Sequence, residues 1–242
     1  MTEAEWLASN DPRAMIWGLR DLLNLRSKRK ARKLRLFGVA CCNRIRHLLE
    51  LPGASRAVDL AEQYTDGQVS EEEMLAASEL VAHMHSGVWD AYQAARKASS
   101  KSPTYTFRRA YWDGPDYAAA CAVWRSTLWE QVKVAPDPPK QEKPNAVASA
   151  AKGAERVVQA GILRDVFGNP FREVNFDNDW RTVNVVALAK QIYESRDFGA
   201  MPVLADALED AGCTDEDIVS HLRSYGPHVR GCWAVDAVLG RG

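Results

Sequence analysis

The sequence lacks the features of exported and membrane-spanning proteins. No apolar run approaches the ~20 residues of a transmembrane helix, and the N-terminal segment carries Glu3 and Glu5 where a secretory signal has basic residues and then an apolar stretch. The 5 cysteines are an odd number, and Cys41 directly precedes Cys42, a pattern that favours reduced thiols over disulfides. We therefore predict a cytoplasmic protein without a membrane contact.

The sequence also lacks the common phosphate-binding and nucleophile motifs. It contains no P-loop, no GxGxxG fingerprint and no GxSxG elbow, which excludes the usual P-loop, dinucleotide-binding and α/β-hydrolase sites. With 31 Lys and Arg against 32 Asp and Glu, the chain has no excess charge of one sign for wrapping a polyanion. The 46% hydrophobic residues and 8 Trp supply enough apolar material for a core, which excludes general disorder.

What the sequence does contain is mostly helix signals. Thr2 and Glu5 have capping-box spacing, and Asn10-Asp11-Pro12 places a cap candidate before a proline. Apolar residues then recur every 3 to 4 positions. These patterns predict an all-α, multi-helix bundle with at most a short strand at 171–176, and helices over 28–50, 56–64, 70–97, 118–132, 146–167, 182–195, 202–211, 214–223 and 229–239.

Residues 134–145 are the predicted boundary within the chain. This segment holds four prolines in twelve residues, a density that helix interiors exclude and that is typical of an exposed loop or linker. The sequence therefore divides into an N-terminal helical region, 1–133, and a C-terminal helical region, 146–242.

The C-terminal region holds the densest group of metal-ligating residues. Two cysteines and two histidines could close a tetrahedral zinc site, and a helix starting near His228 would put it and Cys232 on one face. The spacing matches no standard zinc finger, so we favour buried cysteines and hydrogen-bonded histidines over zinc as a cofactor. The candidate ligands are Cys213, His221, His228 and Cys232.

The same group allows a thiol enzyme as an alternative. In this hypothesis Cys232 attacks, His221 or His228 is the base, and Asp206 or Asp236 orients that base. The apolar residues around Cys232 predict a buried thiol, which disfavours a nucleophile.

A basic helix face offers a second candidate site. Residues 1–60 hold 12 Lys and Arg against 6 Asp and Glu, whereas 201–242 hold 3 against 7. A solvated face, paired with the acidic C-terminal helices, is the favoured interpretation. The alternative is a nucleic-acid-binding subunit that contacts phosphates through Lys28, Arg29, Lys30, Arg32, Lys33, Arg35 and Arg46.

An aromatic and basic segment offers a third. Tryptophan, tyrosine and arginine dominate protein interfaces, and the sequence combines 8 Trp with two irregular loops and no intact catalytic motif. Our leading hypothesis is therefore a non-enzymatic accessory or regulatory protein that binds a protein partner. The predicted contact residues are Tyr105, Phe107, Arg108, Arg109, Tyr111 and Trp112.

Five short segments of the sequence resemble a family of bacterial proteins of the planctomycete type. They are MTEAEWLASNDP, RKLRLFGVACC, ILRDVFGNPFR, ADALEDAGC and HVRGCWAVDAVLG, and together they extend over most of the chain. The resemblance implies a bacterial cytoplasmic protein and brings no known activity, cofactor or catalytic residue. The segments 105–112 and 134–145 depart from the family pattern and are predicted to be partner-specific surface.

Overall fold

A computed structural model describes residues 1–22, 27–49, 52–82 and 146–241. Within these ranges the chain forms ten α-helices and no strand, which confirms the all-α prediction. The segment 171–176, for which at most a short strand is predicted, forms no strand. The helices are Glu3–Ala8 (α1), Pro12–Leu22 (α2), Lys28–Arg44 (α3), Pro52–Thr65 (α4), Glu71–Ala82 (α5), Ala146–Phe167 (α6), Val183–Ser195 (α7), Met201–Asp210 (α8), Glu216–Leu222 (α9) and Trp233–Val238 (α10).

Polar side chains fix several helix starts. At α1 the amide of Glu5 donates to Thr2 Oγ1 (3.3 Å), and the amide of Thr2 donates to Glu5 Oε2 (2.7 Å), which completes the predicted capping box. The Thr182 hydroxyl accepts from the Val185 amide at the start of α7 (3.3 Å). These caps satisfy amides that a helix leaves without an internal partner.

Three predicted helix boundaries are wrong by several residues. The helix predicted over 28–50 ends at Arg44, where a short 3₁₀ turn at Arg46–Leu48 follows, and the helix predicted over 56–64 begins already at Pro52. Proline suits the first turn of a helix because the amide it lacks would have no partner there. The helix predicted over 229–239 begins only at Trp233, because Gly231 takes a left-handed conformation (φ +93°).

The chain divides into two compact units. The first comprises Met1–Ser9, Ala14–Phe37 and Ala160–Gly242, and the second comprises Asn10–Arg13 and Gly38–Gln159. The first unit therefore takes residues from both predicted regions, 1–133 and 146–242. The predicted linker 134–145, the predicted helix 118–132 and the end of the one predicted over 70–97 lie outside the described residues.

Each unit has its own core. In the first, α7, α8, α9 and α10 bury a cluster that includes Ile192, Leu204 and Val235. In the second, α4 packs on α5, and Arg44 pairs bidentately with Glu155 (2.8–3.0 Å). Among the described helices, none combines the length and the hydropathy that crossing a membrane requires.

Candidate metal centre

Four metal-ligating side chains of the first unit meet at one point. Asp165 lies in the last turn of α6, His221 lies on α9, His228 lies in the following loop, and Cys232 is the N-cap of α10. Each offers one ligand atom, and these four atoms lie within 4.8 Å of one another. The helices thus bring together residues that are up to 67 positions apart in the sequence.

The distances inside the cluster suit a small tetrahedral site. Asp165 Oδ1 lies 3.1 Å from His221 Nε2 and 2.8 Å from His228 Nδ1, and Cys232 Sγ lies 3.2 Å from the same His221 Nε2. Bonds of about 2.0–2.3 Å to one Zn²⁺ place tetrahedral ligand atoms about 3.3–3.8 Å apart. These three distances are a few tenths of an ångström shorter than in an occupied zinc site, and the remaining pairs of ligand atoms lie within 4.8 Å.

Two backbone groups orient the outer atoms of the ligands. His228 Nε2, the nitrogen that faces away from the cluster, lies 3.1 Å from the Ser224 carbonyl oxygen, to which it can donate. The Val229 amide donates to Asp165 Oδ2 (2.9 Å) and leaves Oδ1 directed at the histidines. Hydrogen bonds of this kind fix the tautomer and orientation of metal ligands in known sites.

Two glycines let the segments of the cluster approach closely. A Cβ at Gly161 of α6 would lie 2.9 Å from the Pro227 ring, next to His228. A Cβ at Gly231, next to Cys232, would lie 2.6 Å from Leu36 Cδ1. The loop that carries His228 and Cys232 is therefore seated against α6 and α3 at positions where only glycine fits.

Hydrogen bonds within the cluster stabilise its charged groups in spite of their burial. Burial opposes the charged form of Asp165, yet hydrogen bonds from His221 and His228 outweigh it and lower the pKa of Asp165. Burial likewise opposes protonation of His228, but the hydrogen bond to Asp165 raises its pKa. Two neutral imidazoles, a carboxylate and a thiolate would neutralise one divalent ion, so such an ion would be buried without net charge.

The geometry does not form the proton relay of a thiol enzyme. In such a relay one histidine nitrogen faces the sulfur and the other faces the carboxylate, whereas here His221 Nε2 faces both Cys232 and Asp165. Cys232 is 0% exposed, and its burial, followed by the nearby Asp165 carboxylate, raises the pKa of its thiol well above the ordinary value. The candidate orienting groups are engaged elsewhere, since Asp206 pairs with Arg223 and Asp236 with Arg32.

The structure brings together three of the four predicted ligands. Cys213 does not belong to the cluster; it is buried in the hydrophobic core of the first unit, and its amide donates to the Leu208 carbonyl (2.9 Å). The predicted route is also wrong, because Cys232 precedes α10 and does not share a helical face with His228.

Sequence reasoning missed Asp165, the fourth residue of the cluster. One signal for it was available, because a carboxylate in the last turn of α6 is opposed by the helix dipole. Its sequence neighbours Leu163 and Val166 are fully buried, and Asp165 itself is only 3% exposed.

The predicted nucleic-acid contacts are divided between the surface and the interior. Lys33 and Arg35 are buried, at 5% and 4% exposure. Burial lowers the pKa of Lys33 to about 8. Lys28 and Arg29 are exposed and Lys30 is half-buried.

The remaining two predicted contacts are in ion pairs. Arg32 forms a bidentate pair with the buried Asp236 (2.6 and 3.3 Å) and donates to the Tyr193 hydroxyl (2.8 Å). Arg46 pairs with Asp59 (2.7 Å) in the second unit. Exposed charge for phosphate binding within the predicted set is therefore concentrated at the start of α3, and the nucleic-acid hypothesis stays a prediction.

The predicted partner-binding residues Tyr105, Phe107, Arg108, Arg109, Tyr111 and Trp112 lie outside the described residues.

No family model, curated protein or solved structure matches the chain. The resemblance to a bacterial family accordingly stays a prediction, and the function has to be argued from the cluster itself.

Proposed function

We propose that this protein binds one zinc ion through Asp165, His221, His228 and Cys232. The convergence of four ligand atoms from these side chains carries the proposal. One thiolate and two imidazoles favour a borderline ion such as Zn²⁺ over Mg²⁺ or Ca²⁺, which prefer sites made of oxygen. The outer hydrogen bonds to the Ser224 carbonyl and the Val229 amide support the same conclusion.

The zinc has a structural role in this proposal. Four protein ligands fill a tetrahedral shell, whereas catalytic zinc sites usually keep one position for water or substrate. Asp165 and Cys232 are buried, and His221 is the ligand that borders an adjoining cleft of about 390 Å³. The ion would hold α6, α9 and the start of α10 together.

A non-enzymatic interaction role is part of the same proposal. The cleft beside the cluster is lined by Trp6 and Trp233, and Leu7 and Val174 on its lining are 53% and 43% exposed. Concave surfaces with apolar side chains are typical of binding sites. A metal-stabilised helical domain with such a surface fits an accessory protein that recognises a protein partner.

Metal analysis of the purified protein tests the zinc site. The protein is prepared without a chelator or a polyhistidine tag, as the wild type and as the Cys232→Ser and Cys213→Ser variants. We expect about one zinc per chain in the wild type and in Cys213→Ser, the matched buried cysteine, and a large loss in Cys232→Ser. A wild type that takes up no zinc when it is supplied, or a Cys232→Ser protein that retains a full equivalent, refutes the proposal.

Cobalt substitution provides an independent reading of the ligand set. A cobalt-loaded wild type should show a thiolate-to-metal charge-transfer band that is absent from Cys232→Ser and present in Cys213→Ser. Circular dichroism of each variant establishes that the helices are retained.

A further inference from the structure

Three residues of α3 contact the segments that carry Asp165 and Cys232. Leu36 follows Arg32 by four residues and Lys33 by three, so it neighbours both side chains on the surface of that helix. Each of the three contacts a residue next to a ligand or one helical turn beyond it. All of these residues belong to the first unit, and α3 contributes no residue to the four-residue cluster.

Lys33 contacts the end of the helix that carries Asp165. Its buried ammonium donates to the Val166 carbonyl (2.8 Å) in the last turn of α6. Carbonyls in that turn have no partner within the helix, and a positive charge there interacts favourably with the helix dipole. Lys33 thereby fixes the turn from which Asp165 projects.

Arg32 and Leu36 contact the segment that carries Cys232. Arg32 pairs with Asp236, which is buried at 0% exposure and whose amide donates to the Cys232 carbonyl (2.9 Å). Leu36 packs against Gly231 so closely that an added Cβ would lie 2.6 Å from it. Residues adjoining two ligands from distant parts of the sequence are thus held against the same helix.

We infer that Lys33 and Arg32 are positioning residues of the metal centre, so that zinc binding and the docking of α3 stabilise each other. The inference rests on the proposed zinc site and adds its dependence on a helix that contributes no ligand. Linkage makes the effect reciprocal: if docked α3 raises zinc affinity, bound zinc must hold α3 in place by the same factor.

Zinc affinity in full-length variants gives the first test. We expect Lys33→Met to weaken zinc binding by about 10- to 100-fold in competition with a fluorescent chelator, the range found for residues that orient metal ligands. Lys30→Met removes a positive charge from the same helix and serves as the matched control, with affinity close to wild type. Arg32→Met/Asp236→Met is a second variant that removes the ion pair without leaving a buried carboxylate unpaired, and it should also bind zinc more weakly.

Hydrogen exchange gives the reciprocal test. Zinc should slow amide exchange in peptides from residues 28–37 of the wild type and of Lys30→Met, and slow it less in Lys33→Met at saturating zinc. The cobalt spectrum of saturated Lys33→Met should keep its thiolate band, which separates a positioning role from loss of a ligand.

The outcomes distinguish this inference from the proposal on which it rests. The inference is overturned if Lys33→Met and the double variant both bind zinc as tightly as the wild type and zinc does not change the amide exchange of residues 28–37. The zinc site itself would then still stand. A wild type without zinc binding overturns both.

Discussion

Replacing Gly231 by alanine should destabilise the protein by about 2–5 kcal/mol, from two contributions that the structure separates. An L-residue in the left-handed region, at the φ of +93° seen here, costs about 1–2 kcal/mol. The new Cβ would also lie 2.6 Å from Leu36 Cδ1 and 3.2 Å from Leu36 Cβ. Because Leu36 is 1% exposed in a packed interior, moving it costs about a further 1–3 kcal/mol.

Gly212→Ala is the matched control for the backbone contribution. Gly212 has nearly the same φ, +88°, but an added Cβ there would meet nothing within 4 Å. Its replacement should therefore cost only about 1–2 kcal/mol. Urea denaturation in the presence of a chelator, followed by tryptophan fluorescence, gives the free energies of unfolding without a contribution from zinc.

A double-mutant cycle with Leu36→Ala isolates the steric contribution. Leu36→Ala alone should cost about 2–5 kcal/mol, since it leaves a cavity. In that background Gly231→Ala should cost only slightly more than Gly212→Ala does, because the 2.6 Å contact with Leu36 Cδ1 is gone and only the milder 3.2 Å approach to the Cβ of residue 36 remains. Equal costs of Gly231→Ala in both backgrounds would show that the close approach of α3 to this loop does not exist in solution.

Two further predictions concern single side chains of the first unit. Burial lowers the pKa of Lys33 from 10.5 to about 8. Between these two pH values the folded protein has lost a proton that the unfolded chain still holds, so the free energy of unfolding rises with pH. In metal-free protein this rise should reach about 3 kcal/mol across that range, measured as the difference from Lys33→Met, and a difference that falls or stays constant with pH contradicts it. Trp6→Phe should lower the free energy of unfolding, measured by urea denaturation, by about 1–3 kcal/mol. Trp6 is 0% exposed and its Nε1 donates to the Gly168 carbonyl (3.1 Å), so the substitution leaves a buried acceptor without its donor. A loss of only a few tenths of a kcal/mol would contradict the buried hydrogen bond.

Local signals in the sequence predicted the helices well where the chemistry is local. The capping box at Thr2 is formed, and the helix predicted over 146–167 has the observed bounds of α6. The boundaries that failed depend on residues whose effect is ambiguous in a sequence. Pro52 can end one helix or begin another. A glycine such as Gly231 can adopt a left-handed or a right-handed conformation, and its surroundings decide which.

The candidate site was predictable only in part, because its fourth ligand comes from a distant segment. Asp165 is 56 residues from His221, and packing between helices, not spacing, brings them together. Cys213 entered the predicted set because it is near His221 in sequence, but the turn after α8 directs it into the core. Similarly, the charge pattern of α3 cannot reveal that Arg32 and Lys33 are directed at internal partners.

The two histidines of the cluster present different ring nitrogens, and this has a spectroscopic consequence. His221 directs Nε2 at the common point and His228 directs Nδ1. When those nitrogens bind a metal, the remaining proton must lie on Nδ1 of His221 and on Nε2 of His228, so the two imidazoles are locked in opposite tautomers. Nitrogen-15 NMR distinguishes the two tautomers, so the ring nitrogens of each histidine give separate signals that report metal binding. The order in which His221 and His228 bind the metal can therefore be followed in a single titration.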